Sequence, residues 1–346
     1  MIARPRVQAL AAAAAGVAVF VAAGLPLPLL LGPMAGCLVA AFAGVPMQGA
    51  GVAGDAMRTV LGVAVGASIT PALMGRLPEM AWSAALIPVF VLAAAGLGYP
   101  FFRRVRGLDH PTAWYAAAPG GLSDMLVFGQ QAGGDVRALS LIHATRVLAI
   151  VSAAPFLMGR FYDADLAAPP GVPASALPPV EGVLMVAAAA VGWALAARAR
   201  LFGAVIIGPM IAAAALSLSG LIANRPPAEA IWAAQFFIGL NVGVRYSGIT
   251  AAELRRDVAA GLGYVAILAA VTVAFAEAVA LAGLAPPLEA FLAFAPGGQA
   301  EMAVLAIVAG ADVAFVVTHH LLRLVLVITL APVAARLYAG WRGGST

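Results

Sequence analysis

The chain has 346 residues, 63% of them hydrophobic and 10% charged, with 19 basic and 15 acidic side chains for a formal charge of +4. A soluble domain carries about 25% charged residues, so these proportions exclude a water-soluble globular protein and leave one whose first partner is the lipid bilayer. At about 20 apolar residues per crossing, a chain of 346 residues holds ten or so spans and leaves no room for a separate soluble domain.

In chain order, apolar segments are predicted at 7–23, 26–43, 56–74, 80–101 and 136–159, and again at 180–197, 201–221, 231–249, 260–283 and 313–337. Between the last two of each set lies a segment broken by Gly and Pro, 113–134 and 288–310, carrying a PGG motif and a carboxylate. The Pro- and Ala-rich stretch 167–179 reads as a linker, so 1–166 and 180–346 are predicted as two membrane repeats of a single membrane domain. Arg4 and Arg6 before the first apolar run look like the head of a secretory signal. The same element recurs at 180–197, however, and a cleaved leader has no reason to be copied inside the chain.

The halves match at a displacement of 177 residues: Pro119, Gly120, Gly121, Asp124 and Met125 fall on Pro296, Gly297, Gly298, Glu301 and Met302. At the same offset Asp135 meets Asp312, His143 meets His320, Arg146 meets Arg323, and the GxxxG pair Gly62, Gly66 meets Gly239, Gly243. Gly32-Pro33-Met34 meets Gly208-Pro209-Met210 after a one-residue slip. If the broken segments turn back, each half has five spans and the halves are inverted; if they cross, each has six and the halves are parallel.

Every basic residue is arginine, scattered between apolar segments, which excludes a nucleic-acid patch and leaves a topology signal. With Arg4 and Arg6 inside, the inverted reading puts Arg103, Arg104, Arg106, Arg198, Arg200, Arg255, Arg256, Arg336 and Arg342 inside and Arg76, Arg160 and Arg225 outside. The parallel reading sends Arg198, Arg200, Arg255 and Arg256 out. Loop arginines favour the cytoplasmic side, so the expectation is an all-α polytopic membrane protein of two inverted repeats. Each repeat has about five spans and a broken or re-entrant PGG segment, an arrangement typical of transporters.

The GPMAG sequence, the GxxxG spans, PGGLSDM with its trailing GGD and HATR, and the second copies GPM, PGGQAEM and HHLLR resemble the AbrB family of membrane proteins with internal duplication. The resemblance covers nearly the whole chain, and the duplicated PGG motif is its most specific part. It implies a fold and a membrane location, and it brings two functional labels, regulator of gene expression and ammonia monooxygenase.

Arg146 lies about ten residues into its apolar segment, near mid-bilayer depth at 1.5 Å per residue, and Arg323 repeats the placement. An intramembrane arginine marks a functional site and needs a partner; Asp124 and Glu301 are the expected ones. His143 and His320 share a helix face with the arginines three residues on. The backbone amides of Gly120, Gly121, Gly297 and Gly298 offer an anion site at helix N-termini, and arginine adds bidentate recognition of a carboxylate. Asp124, Glu301, His143 and His320 then take up protons for coupling. The structural alternative is that the Asp124–Arg146 and Glu301–Arg323 pairs only lock each broken segment to its neighbour.

Asp135 and Asp312 sit where the last helix of each half begins and are expected to cap it; His319 is expected to pack. Asn241 has no twin, since Ala64 occupies that place in the first copy, and is either a solute contact or interhelical glue. Cys37 is the sole cysteine, no HxxxH or HxH pair occurs, and no Walker loop, GxSxG or dinucleotide fingerprint is present. No metal, cofactor or enzymatic activity is expected. The reading is a bacterial inner-membrane secondary transporter, N-terminus cytoplasmic, moving a small anionic organic solute by alternating access with proton or sodium coupling. The alternative is a membrane sensor that affects gene expression through a partner; a membrane monooxygenase comes third because it needs a metal. A homo-oligomer stays open.

Overall fold

The computed structural model describes residues 4–166, 168–201 and 203–343. Ala167, at the head of the predicted linker, and the side chains of Arg76, Arg336 and Arg342 lie outside the described residues. All regular structure among the described residues is helical. The first half runs through α1 (Arg4–Ala22), α2 (Pro28–Phe42), α3 (Val52–Ala67), α4 (Pro71–Pro100), α5 (His110–Ala117), α6 (Leu122–Gln131) and α7 (Val136–Phe161). The second runs through α8 (Pro179–Arg198), α9 (Ala204–Leu218), α10 (Ala228–Gly243), the short α11 (Ala251–Glu253), α12 (Ala259–Leu281), α13 (Pro287–Phe294), α14 (Gln299–Val308) and α15 (Val313–Gly343). Each broken segment is two short helices, α5 with α6 and α13 with α14, separated at Pro-Gly-Gly.

Among the described residues six helical stretches are long and apolar enough to cross a membrane: Arg4–Ala22, Pro78–Val105, Val136–Phe161, Pro179–Arg198, Ala251–Leu281 and Val313–Ala335. The chain is a polytopic helical membrane protein. The ten predicted apolar segments are all helical, but they are not ten full spans. Helices α2 and α9 have 15 residues and α3 and α10 have 16, about 22–24 Å against a hydrocarbon core of about 30 Å. Their ends are set by backbone chemistry: Pro28 opens α2 and Gly44, in the left-handed region, follows it, while left-handed Gly203 and Gly220 bracket α9.

The chain forms two compact units, one of Met1–Glu79, Val151–Gly248 and Ala300–Val317, the other of Met80–Ile150, Ile249–Gln299 and Thr318–Thr346. This division runs across the two sequence halves, and packing in the first unit gives the reason. A methyl at Gly62 or Gly66 of α3 would strike the carbonyls of Ile206 and Met210 in α9. One at Gly239 or Gly243 of α10 would strike those of Leu30 and Met34 in α2. Each half's GxxxG helix thus lies against the other half's Gly-Pro-Met helix, at a closeness only glycine permits. Gly16 against Gly32 and Gly192 against Gly208 hold α1 to α2 and α8 to α9 in the same way. Polar tips finish the loops: Glu181 accepts the backbone N–H groups of Ala223 and Asn224, both at 3.0 Å.

The second unit is built around α5, with Ala113–Ala118 packed among Phe102, Met125, Leu139, Ile142, Tyr264 and Leu268. Beside them Phe90, Phe275 and Phe294 meet as an aromatic cluster with centroids 5.5–5.6 Å apart. Outside the core, Arg137 pairs with Glu253 at 2.7 Å and Arg106 donates to the carbonyl of Arg256 at 2.8 Å.

Glycine contact in the first unit has a direct check. Gly16→Leu must displace α2 and is expected to cost about 1–3 kcal/mol or more through overpacking, lowering the thermal midpoint of the detergent-purified protein. Gly159→Leu, whose new Cβ meets nothing within 4 Å, should leave it unchanged.

Candidate functional site

An α-helix that stops leaves its last four carbonyls without partners, and inside a bilayer no water is at hand to satisfy them. Helices α5 and α13 both stop short at a Pro-Gly-Gly break. In the first break the Tyr115 carbonyl accepts from His143 Nε2 at 3.0 Å, and those of Ala118 and Gly120 accept from Arg146 Nη1 and Nη2 at 3.4 and 2.7 Å. In the second, the Leu292 carbonyl accepts from His320 Nε2 at 2.8 Å, and those of Ala295 and Gly297 accept from Arg323 at 3.0 and 3.3 Å. The acceptors lie at matching positions of the two copies. A hydroxyl of α12 completes each set: Tyr264 donates to the Ala117 carbonyl and Thr272 to that of Phe294. The His-x-x-Arg face of α7 and α15 therefore replaces the amide donors that the interrupted helices lack.

This corrects the expected partner of Arg146. Its guanidinium reaches the break carbonyls, while Asp124 Oδ2 is buried with no hydrogen-bond partner. A carboxylate would have matched arginine in charge, but Asp124 is in the first turn of α6, on the far side of the glycines, and folds back over Gly121. A methyl on Gly121 would collide with Asp124 Oδ2. The carboxylate thereby lies at the positive end of the α6 dipole, and Gly121, the N-cap, receives no side-chain cap.

The copies differ at the imidazoles. A carbonyl accepts only, so in both histidines Nε2 carries the proton. His320 Nδ1 then accepts from Arg323 Nη2 at 3.0 Å, whereas His143 Nδ1 is buried with no hydrogen-bond partner. The imidazole of the second copy has both nitrogens bonded; the first keeps a bare carboxylate oxygen and a bare ring nitrogen. Arg146 and Arg323, 2% and 5% exposed, are close enough for their like charges to act on each other.

Nine of the proposed site residues lie in the second unit: Gly120, Gly121, Asp124, His143, Arg146, Gly297, Gly298, His320 and Arg323. Glu301 and Asn241 belong to the first. Glu301 is buried within α14, and Asn241 Oδ1 accepts the Ala50 N–H at 3.3 Å with its amide against Gly49 and Gly54. Asp135 and Asp312 cap α7 and α15, accepting from Ala138 and Phe315 at 2.9 and 3.0 Å. His319 packs beside Phe294 and bonds Ser83 Oγ at 3.0 Å. Sequence reasoning missed Tyr264 and Thr272; a hydroxyl inside an otherwise apolar α12 was the available signal.

Because a buried carbonyl left without its donor costs about 1–3 kcal/mol, Arg323→Ala, which strands two, should lose roughly 2–6 kcal/mol of stability. Arg323→Lys, which keeps one donor group in reach, should recover part of it; thermal unfolding in detergent compares the two.

A family model described as "Transition state regulatory protein AbrB" matches residues 29–339. The chain is 27% identical over 321 residues to "Putative regulator AbrB" of Escherichia coli (strain K12), covering 92% of this chain and 91% of that protein. It is 29% identical over 296 residues to "Uncharacterized protein YhjN" of Bacillus subtilis (strain 168), covering 81% of this chain and 77% of that one. The match takes in both broken segments, both His-x-x-Arg faces and both GxxxG helices, and the chain belongs to the AbrB family.

Proposed function

We propose that the protein is a secondary transporter of a small anionic organic solute, working by alternating access in the bacterial inner membrane with its N-terminus cytoplasmic. The observation that carries this reading is the unequal satisfaction of the two breaks. Buried polar groups lacking a partner are rare and call for a cause. Asp124 Oδ2 and His143 Nδ1 are both bare in the first copy, next to a break whose carbonyls are already occupied. A solute or a coupling proton supplies the missing partner. His143 can take a proton on Nδ1 while Nε2 keeps its bond to Tyr115; His320 can do so only by giving up its bond from Arg323. The first copy is therefore the proton-coupled site and the second holds the fold.

The two buried guanidiniums give this region a positive field, and the uncapped N-terminus of α6 adds amide donors; together they favour an anion. The reciprocal packing of α3 on α9 and α10 on α2 supports two related repeats, and the arginine distribution favours inverted ones with re-entrant PGG segments. In this mechanism the protein is no enzyme and uses no cofactor. The word "regulator" in the name of the Escherichia coli relative favours a second reading, a membrane sensor that binds the same solute and signals through a partner.

Uptake into proteoliposomes separates the readings. A panel of small carboxylates should include one that accumulates under an inward proton gradient, and His143→Gln should abolish the proton dependence at unchanged folding. If nothing in the panel moves while deletion changes transcription of specific genes, the sensor reading replaces transport. A reporter inserted at Ser175, in the exposed stretch beside Gly171, should lie outside the cytoplasm; a cytoplasmic signal sinks the inverted topology.

A further inference from the structure

In the second unit α4, α5 and α15 enclose a cavity of about 370 Å³ whose walls include Val91, Leu92, Gly96, Tyr99, Trp114 and Leu330. Only Tyr99 and Trp114 bring side-chain polar atoms to it, and both are engaged: Tyr99 Oη with His110 Nδ1 at 2.9 Å, Trp114 Nε1 with the Ala331 carbonyl at 3.1 Å. The surface on offer is hydrocarbon. Leu92 and Leu330 on its rim are 72% and 56% exposed, on helices that belong to membrane-crossing stretches.

Gly96 shapes the groove. Glycine inside a helix costs stability relative to alanine, and the glycines of the first unit repay that cost in close backbone approach. At Gly96 nothing lies within 4 Å of where a Cβ would stand. It serves the opening itself. From Pro88 to Tyr99 the groove follows α4 for about 16 Å. One turn further the helix continues as the π-helical turn Phe101–Val105, where Arg103 and Arg104 are exposed. A guest helix, about 10 Å across, would fill several times 370 Å³ over that length. A lipid tail fits.

We propose that this groove holds an acyl chain of an anionic phospholipid, with its phosphate met by Arg103 and Arg104 and its glycerol region beside Tyr99 and Trp114. Aromatic rings with a polar edge sit at that depth in membranes, and the guanidinium fork matches phosphate. The inference needs only the membrane location and stands apart from the transport reading.

Native mass spectrometry of the full chain in detergent, with phosphatidylglycerol or phosphatidylcholine of the same tails, tests it. Two arginines should favour phosphatidylglycerol on the order of tenfold. Gly96→Phe fills the groove and should bring retention of both lipids to background. Gly159→Phe, equally free of neighbours within 4 Å but outside the groove, should not. The double change Arg103→Gln and Arg104→Gln should remove the preference and keep phosphatidylcholine binding. Equal retention of the two lipids by the unaltered chain overturns the proposal, as does phosphatidylglycerol binding to Gly96→Phe at the level of Gly159→Phe. If Gly96→Phe does not fold, the arginine pair decides: an unchanged preference overturns it.

Discussion

A helix that is interrupted inside a protein must find donors for the carbonyls it strands, and in the second unit both Pro-Gly-Gly breaks are supplied in the same way. Four carbonyls in each break are met by one histidine, one arginine and one hydroxyl. Arginine suits both places. Its planar fork reaches two acceptors at once, while an ammonium is a compact point charge. The wiring explains the three-residue spacing of His and Arg, which puts both on one side of the supporting helix. The charge itself costs free energy in lipid, and carbonyl dipoles aimed at it offset part of that cost.

Glycine plays the corresponding part in the first unit. Lipid is as apolar as leucine, so apolar faces gain little by meeting, and close packing has to hold the helices together. The crossings at Gly62, Gly66, Gly239 and Gly243 bring a GxxxG helix of one half onto the Gly-Pro-Met helix of the other. Short helices suit this arrangement. α2, α3, α9 and α10 need not each cross the full hydrocarbon core when their partners cover them, and the ends of α2 and α9 are marked by proline and left-handed glycine.

The two breaks differ in how far their polar groups are matched. Both breaks carry the same carbonyl wiring, so either could have become fully satisfied. In the second, His320 and Arg323 close on each other; in the first, His143 Nδ1 and Asp124 Oδ2 stay bare. The difference at the imidazoles is invisible in residue identity, because histidine and arginine occupy the same places in both copies.

What the residues alone determined follows from period and composition. Apolar runs at helical length, the proline-glycine interruptions, the doubled motif and its family membership are all local or arithmetic properties, and so are the helix caps at Asp135 and Asp312. That His143, Arg146, His320 and Arg323 form two matching pairs was legible too, because rare polar residues repeat at one offset. Their bonding was not. Opposite charge suggested Asp124 for Arg146, but the choice between a carboxylate and backbone carbonyls depends on which atoms the fold brings within about 3 Å. Tyr264 reaches the first break from 147 residues along the chain, and Asn241 is held by a loop some 190 residues away. Only tertiary packing sets such distances, since a sequence fixes the order of its side chains and leaves their separations in space to the way the helices cross.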